Sequence, residues 1–95
     1  MIRLCPEAET QVDRLIAHYE AKGRIAASVN LLDALERAKQ RISANPQAGM
    51  EAPRPSLKRP GKRWITEGRY WISYSVKPPV ISGVFYVASD IPNRI

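Results

Sequence analysis

At Asn45-Pro46 the chain changes its hydrophobic period, and that switch limits the fold more than any other feature. Before it, apolar residues recur at helical spacing. After it they alternate, in a stretch that holds six of the eight prolines, between Pro53 and Pro92. A chain that spends its first half on one period and its second half on the other reads as α+β, with helices laid on one face of a sheet. The 95 residues fit a single domain, 1–95, with one modest core.

Ile2–Leu4 is a short apolar start. Pro6 in a first helical turn, with Glu7 and Glu9 near the positive end of the helix dipole, predicts where the first helix begins. Ala8, Val12, Leu15, Ile16 and Tyr19 form its apolar stripe. Gly23 marks a turn. From Arg24 a second helix presents Ile25, Val29, Leu32, Leu35, Ala38 and Ile42, with Leu31 widening the stripe. Asn45-Pro46 stops it, because a residue before proline is pushed out of the α region. Two such helices around one glycine predict an antiparallel helical hairpin.

Beyond the prolines, Arg63–Thr66 reads as a strand, Glu67-Gly68 as a tight turn, Arg69–Val76 as a second strand and Val80–Ala88 as a third, after Lys77-Pro78-Pro79. Consecutive hairpins predict an antiparallel meander. Tyr70, Ile72, Tyr74 and Val76 share the face expected beneath the helices, leaving Arg69, Trp71, Ser73 and Ser75 toward solvent. Ser89–Ile95 reads as irregular.

Charge is divided as sharply as period. Residues 1–52 carry seven basic and seven acidic side chains, whereas residues 53–95 carry eight basic and two acidic, so the whole net +6 lies in the second part. Five of those cations, Arg54, Lys58, Arg59, Lys62 and Arg63, fall within ten residues, just ahead of Arg69 and Trp71. Cations beside an aromatic suit phosphate or an acidic protein surface, and charge alone does not separate the two. Catalytic signals are sparse. One Cys and one His cannot supply four zinc ligands. Cys5 reads as a small residue ending a short strand, and His18 as a helix-surface histidine. Asp33 and Glu36 read as solvated charge, with Asp33 pairing Arg37. No acid–base dyad or Gly-rich phosphate loop is visible. A single cysteine fits a reducing compartment, and neither a leader peptide nor an apolar run of membrane length is expected.

The order strand, helical hairpin ending in Asn45-Pro46-x-x-Gly49, basic loop, then Gly68-Arg69-Tyr70-x-Ile72-x-Tyr74-x-Val76 resembles the RelE/ParE superfamily, the toxins of bacterial type II toxin–antitoxin modules. Pro6-Glu7-Ala8 and Leu32-x-x-Leu35-x-x-Ala38 add to the likeness, which spans nearly the whole chain. The resemblance implies a β-α-α-β-β-β fold: an N-terminal strand, then a two-helix antiparallel hairpin packed on one face of a small antiparallel sheet.

RelE-like members cleave mRNA on the ribosome with Lys and Arg side chains, whereas ParE-like members poison DNA gyrase. The arginine that a nuclease carries after the strand tyrosine falls here on Trp71. The cation after the last strand falls near Asp90, and Ser89-Asp90-Ile91-Pro92 replaces a His-x-Arg-Arg ending, which leaves Lys62 and Arg94. The resemblance thus implies the ParE-like branch: a cytoplasmic toxin without a catalytic set or cofactor, acting on gyrase with its DNA. Its target-facing residues would be Arg54, Lys58, Arg59, Lys62, Arg63, Arg69, Trp71 and Arg94. A ParD-like antitoxin would bind at apolar helix positions, Tyr19 and Leu31, and at the sheet edge, in a higher oligomer that holds operator DNA through the antitoxin. Alternatives are a RelE-like ribosome-dependent endoribonuclease, a non-toxic antitoxin-binding module and a generic basic nucleic-acid binder.

Overall fold

The computed structural model describes residues 2–52 and 57–86. The chain runs β1 (Arg3–Leu4), α1 (Pro6–Ala21), α2 (Ile25–Ala44), β2 (Lys62–Glu67), β3 (Tyr70–Val76) and β4 (Pro79–Tyr86). The sheet order is β1-β4-β3-β2. The meander β2-β3-β4 is antiparallel as expected, while β1 adds to β4 in parallel, so the four-stranded sheet is mixed. Parallel pairing needs a long connection, which the two helices and the first two strands of the meander supply between β1 and β4.

Both helices lie on the Tyr70/Ile72/Tyr74 face. Their core joins Ala8, Val12, Tyr19, Leu31, Leu35 and Ile42 to Ile65, Tyr70, Ile72, Tyr74, Ile81 and Val84. Gln11 Oε1 accepts the Val84 N–H at 2.9 Å, which ties α1 to β4 past the end of the two-residue β1. Gly23, Gly61 and Gly68 turn the chain at positive φ, where a side chain would be strained. Cys5 ends β1 and precedes α1, as its size suggested.

Two expectations are corrected. The buried line of α2 is Ser28, Leu31, Leu35, Ala38 and Ile42, with Ala34 beside it. Ile25, Val29 and Leu32 are instead 60%, 51% and 48% exposed. Continued one turn, the Ile25–Val29–Leu32 line meets Glu36, whose carboxylate belongs in water. The Leu31 line stays apolar through Ile42, and its small Ser28, Ala34 and Ala38 let the helix approach the sheet closely.

The second correction concerns the far face of the sheet, which is not left to solvent. Trp64, only 1% exposed, packs there with Leu57, Ala52, Trp71 and Phe85. Its ring stacks on Phe85 at 5.7 Å and meets Trp71 edge-on at 6.4 Å. Gly83 makes room, since a Cβ there would come within 2.7 Å of the Phe85 ring and 2.8 Å of Ser73 Oγ.

The outer edge of β2 is occupied by the chain itself. Trp64 exchanges both backbone hydrogen bonds with Met50, at 2.7 and 2.8 Å. The Lys62 N–H reaches Arg59 O at 3.2 Å, and Arg41 donates to Thr66 O at 2.8 Å.

Candidate functional site

Gly49 anchors the segment that leads to the basic loop. Its N–H donates to Tyr74 Oη at 3.0 Å, and Tyr74 in turn donates to Pro46 O at 2.7 Å. The Asn45-Pro46-x-x-Gly49 motif therefore fastens the end of α2 to the centre of β3. Arg63 donates to Gly49 O at 2.6 Å. Farther along, Leu57 inserts into the Trp64 cluster and holds the end of the loop against the far face of the sheet.

Between these two anchors opens a groove of about 730 Å³ at the Lys62/Val76 end of the β2–β3 hairpin. Lys58, Arg59, Lys62, Arg63 and Lys77 line it, with Glu51 as its one acid. Lys58 pairs with Glu51 at 2.8 Å, and that hydrogen bond holds the Glu51 carboxyl below its ordinary range. Arg59 donates to Lys58 O at 2.8 Å. Five cations around one carboxylate leave a surplus of positive charge in a concave site, where it acts on a partner's anions more strongly than on a flat surface. Four of the predicted target-facing residues, Lys58, Arg59, Lys62 and Arg63, meet here.

Arg69 and Trp71 do not join them. Arg69 sits at the opposite end of the hairpin, beside Gly68, with Nη1 3.5 Å from Tyr86 Oη. Six residues of strand separate the two ends, on the order of 17–20 Å. Trp71 belongs to the Trp64 cluster and is half-buried. Arg54 and Arg94 lie outside the described residues, as do Ser89 and Asp90. Lys77 was missed as a groove residue because it reads as part of a turn. The Lys62↔Ser75 register carries it back beside Lys62, a consequence of hairpin pairing that local sequence does not show.

Both residues predicted to receive a partner are core. Leu31 is fully buried and Tyr19 is 6% exposed, its hydroxyl 2.6 Å from Tyr70 Oη. The exposed apolar positions of α2 are Ile25, Val29 and Leu32, one helical line away. The β2 edge is not open to a partner strand either, since Met50, Arg59 and Arg41 occupy it. His18 is exposed and meets the Tyr19 ring edge-on at 5.9 Å, as a surface histidine. Arg37 pairs with Glu67 at 2.9 Å rather than with Asp33.

Among the described residues no three His, Cys, Asp or Glu side chains gather as a metal site, and no helix is long and apolar enough to cross a membrane. No protein-family model matches the chain, and no curated protein matches it in sequence.

Proposed function

We propose that the chain is a ParE-like toxin of a bacterial type II toxin–antitoxin module, acting in the cytoplasm on DNA gyrase. Two features support this reading. The β-α-α-β-β-β order is the one that the resemblance implies, and five of the described cations gather in a groove built on the hairpin. The observation that carries it is the groove: five cations, from the loop before β2, from β2 itself and from the β3–β4 turn, share one concavity and form a docking surface for a target that includes DNA.

In this reading, toxicity comes from binding. Lys58, Arg59, Lys62, Arg63 and Lys77 meet phosphates or acidic side chains of the gyrase–DNA complex and stabilise its cleaved state, so that breaks persist and replication stalls. The ParD-like antitoxin covers Ile25, Val29 and Leu32, and the complex holds operator DNA through the antitoxin. An amphipathic segment laid along these positions, at i, i+4 and i+7, is an ordinary way for one helix to receive another chain.

Gyrase supercoiling and DNA-cleavage assays test the proposal. The purified chain should inhibit supercoiling and raise the yield of cleaved DNA, and Lys58→Glu with Lys62→Glu should abolish both effects. A chain without effect on gyrase, or one that cuts mRNA on programmed ribosomes, would overturn it.

A further inference from the structure

At the other end of the hairpin, the turn between β2 and β3 faces the turn between α1 and α2 across a cavity of about 580 Å³. Arg24, Arg37 and Arg69 line it together with Asp33, Tyr70 and Tyr86. Arg24 comes from the helical turn and lies over the Tyr19 ring, 5.7 Å from its centroid. Arg69 comes from the strand turn and is steadied by Tyr86. Arg37 rises from α2 with its Nε committed to Glu67, while its Nη2 approaches Gly68, 3.6 Å from where a Cβ would stand. Three elements thus bring three guanidinium groups to one concavity that has a single acid, Asp33, in its lining.

We infer that this cavity binds a phosphorylated small molecule of about nucleotide size, with the phosphate held between Arg24 and Arg69. Guanidinium groups present paired N–H donors that match phosphate oxygens, and two of them approaching from different elements can grip one phosphate from both sides. The start of α2 forms part of the wall; it carries no side-chain cap and no acid in its first turn, so nothing of the chain's own neutralises that end. The volume lies within the range of about 300–1,000 Å³ that holds small organic ligands, and it is far more than one phosphate needs. The remaining wall is phenolic. Tyr86 is half-buried and meets the buried Tyr70 ring edge-on at 5.9 Å, so its ring is the aromatic surface that the ligand's body can lie against. This site stands apart from the cationic groove and does not depend on the toxin reading.

The test is calorimetric titration of the full chain with 5′-AMP and with inorganic phosphate, alongside amide NMR mapping. AMP should bind at least about tenfold more tightly than phosphate, since only AMP uses the phenolic wall. Its shifts should centre on Gly23–Ala27 and Gly68–Tyr70. Arg24→Gln and Arg69→Gln should each weaken AMP binding by about tenfold, the loss expected for one charge-assisted contact. Both residues are exposed, so both variants should keep the wild-type melting temperature. Asp33→Asn should tighten binding by removing the one repelling charge. Lys62→Gln, in the other groove, should change nothing. The inference is overturned if AMP does not bind, if phosphate binds as tightly as AMP, if the Arg variants bind like wild type, or if Lys62→Gln weakens binding as much as they do.

Discussion

Two side chains near the helix–sheet interface carry polar groups that cannot be left alone. Tyr19 and Tyr70 are both buried and share one hydrogen bond of 2.6 Å. Removing one hydroxyl strands the other, whereas removing both leaves an apolar contact. Tyr70→Phe should therefore cost about 1–2 kcal/mol in urea unfolding, and Tyr19→Phe with Tyr70→Phe should recover most of that loss. Burial, followed by the Tyr19 hydrogen bond, pushes the Tyr70 phenol well above its ordinary value. The unfolded chain, with tyrosine near pH 10, then releases its proton first. This part of the stability is complete below about pH 10 and is lost as pH rises toward the folded value. Melting temperatures between pH 9 and 11.5 should fall less steeply in Tyr70→Phe than in wild type. Gly49 is constrained by space rather than by dihedral angle. A Cβ there would stand 2.7 Å from both Trp64 O and Tyr74 Oη and 2.9 Å from Ile65 Cγ2. Two of the three neighbours are fixed by the sheet and by hydrogen bonds, so Gly49→Ala should cost about 1–3 kcal/mol and loosen the whole segment that leads to the groove.

The second helix opens with two apolar lines, Ile25–Val29–Leu32 and Ser28–Leu31–Leu35, and the periodicity of its first turns alone does not say which one is inside. The choice falls to Leu31 because that line stays apolar to the helix end and is flanked by alanines. Leu31→Ala should cost about 2–5 kcal/mol. Leu32→Glu, one residue on, should stay within about 0.5 kcal/mol of wild type and abolish binding of the proposed antitoxin in a pull-down. The element order, the helix limits, the antiparallel meander and the helix-facing side of β3 were legible in the sequence, because period and turn residues act locally. The burial of Trp64 and Trp71 was not, because it depends on Leu57 and Phe85 meeting across strands. The same holds for Glu67, which lies far along the chain from the helix it grips. Arg37 and Arg41 reach it at 2.9 and 3.0 Å, so the β2–β3 turn is clamped to α2. Burial alone would raise the Glu67 carboxyl, but the hydrogen bonds from Arg41 and Arg37 outweigh it and leave the group below its ordinary value. Its contribution is present above pH 4.5 and is lost as pH falls through the folded value. With both arginines about half exposed, Glu67→Gln should cost about 1 kcal/mol at neutral pH, and less in high salt.

At the scale of the molecule, positive charge among the described residues gathers at opposite ends of one hairpin, in the groove at Lys62 and the cavity at Arg69. Charge reversal should separate them: Lys62→Glu should remove the proposed effect on gyrase supercoiling, while Arg69→Glu should leave it largely intact. Equal loss from both variants would mean that a single continuous surface meets the target. The capped β2 edge has a further consequence for the fate of the free chain. A bare outer strand offers its amides and carbonyls to any passing extended segment, which is how sheets from separate molecules fuse into aggregates. Here the chain answers its own edge with a bridge from Met50, a carbonyl from Arg59 and a guanidinium from Arg41. On this side of the sheet, self-templating through β2 is closed off, and a partner strand has no free ladder to join there.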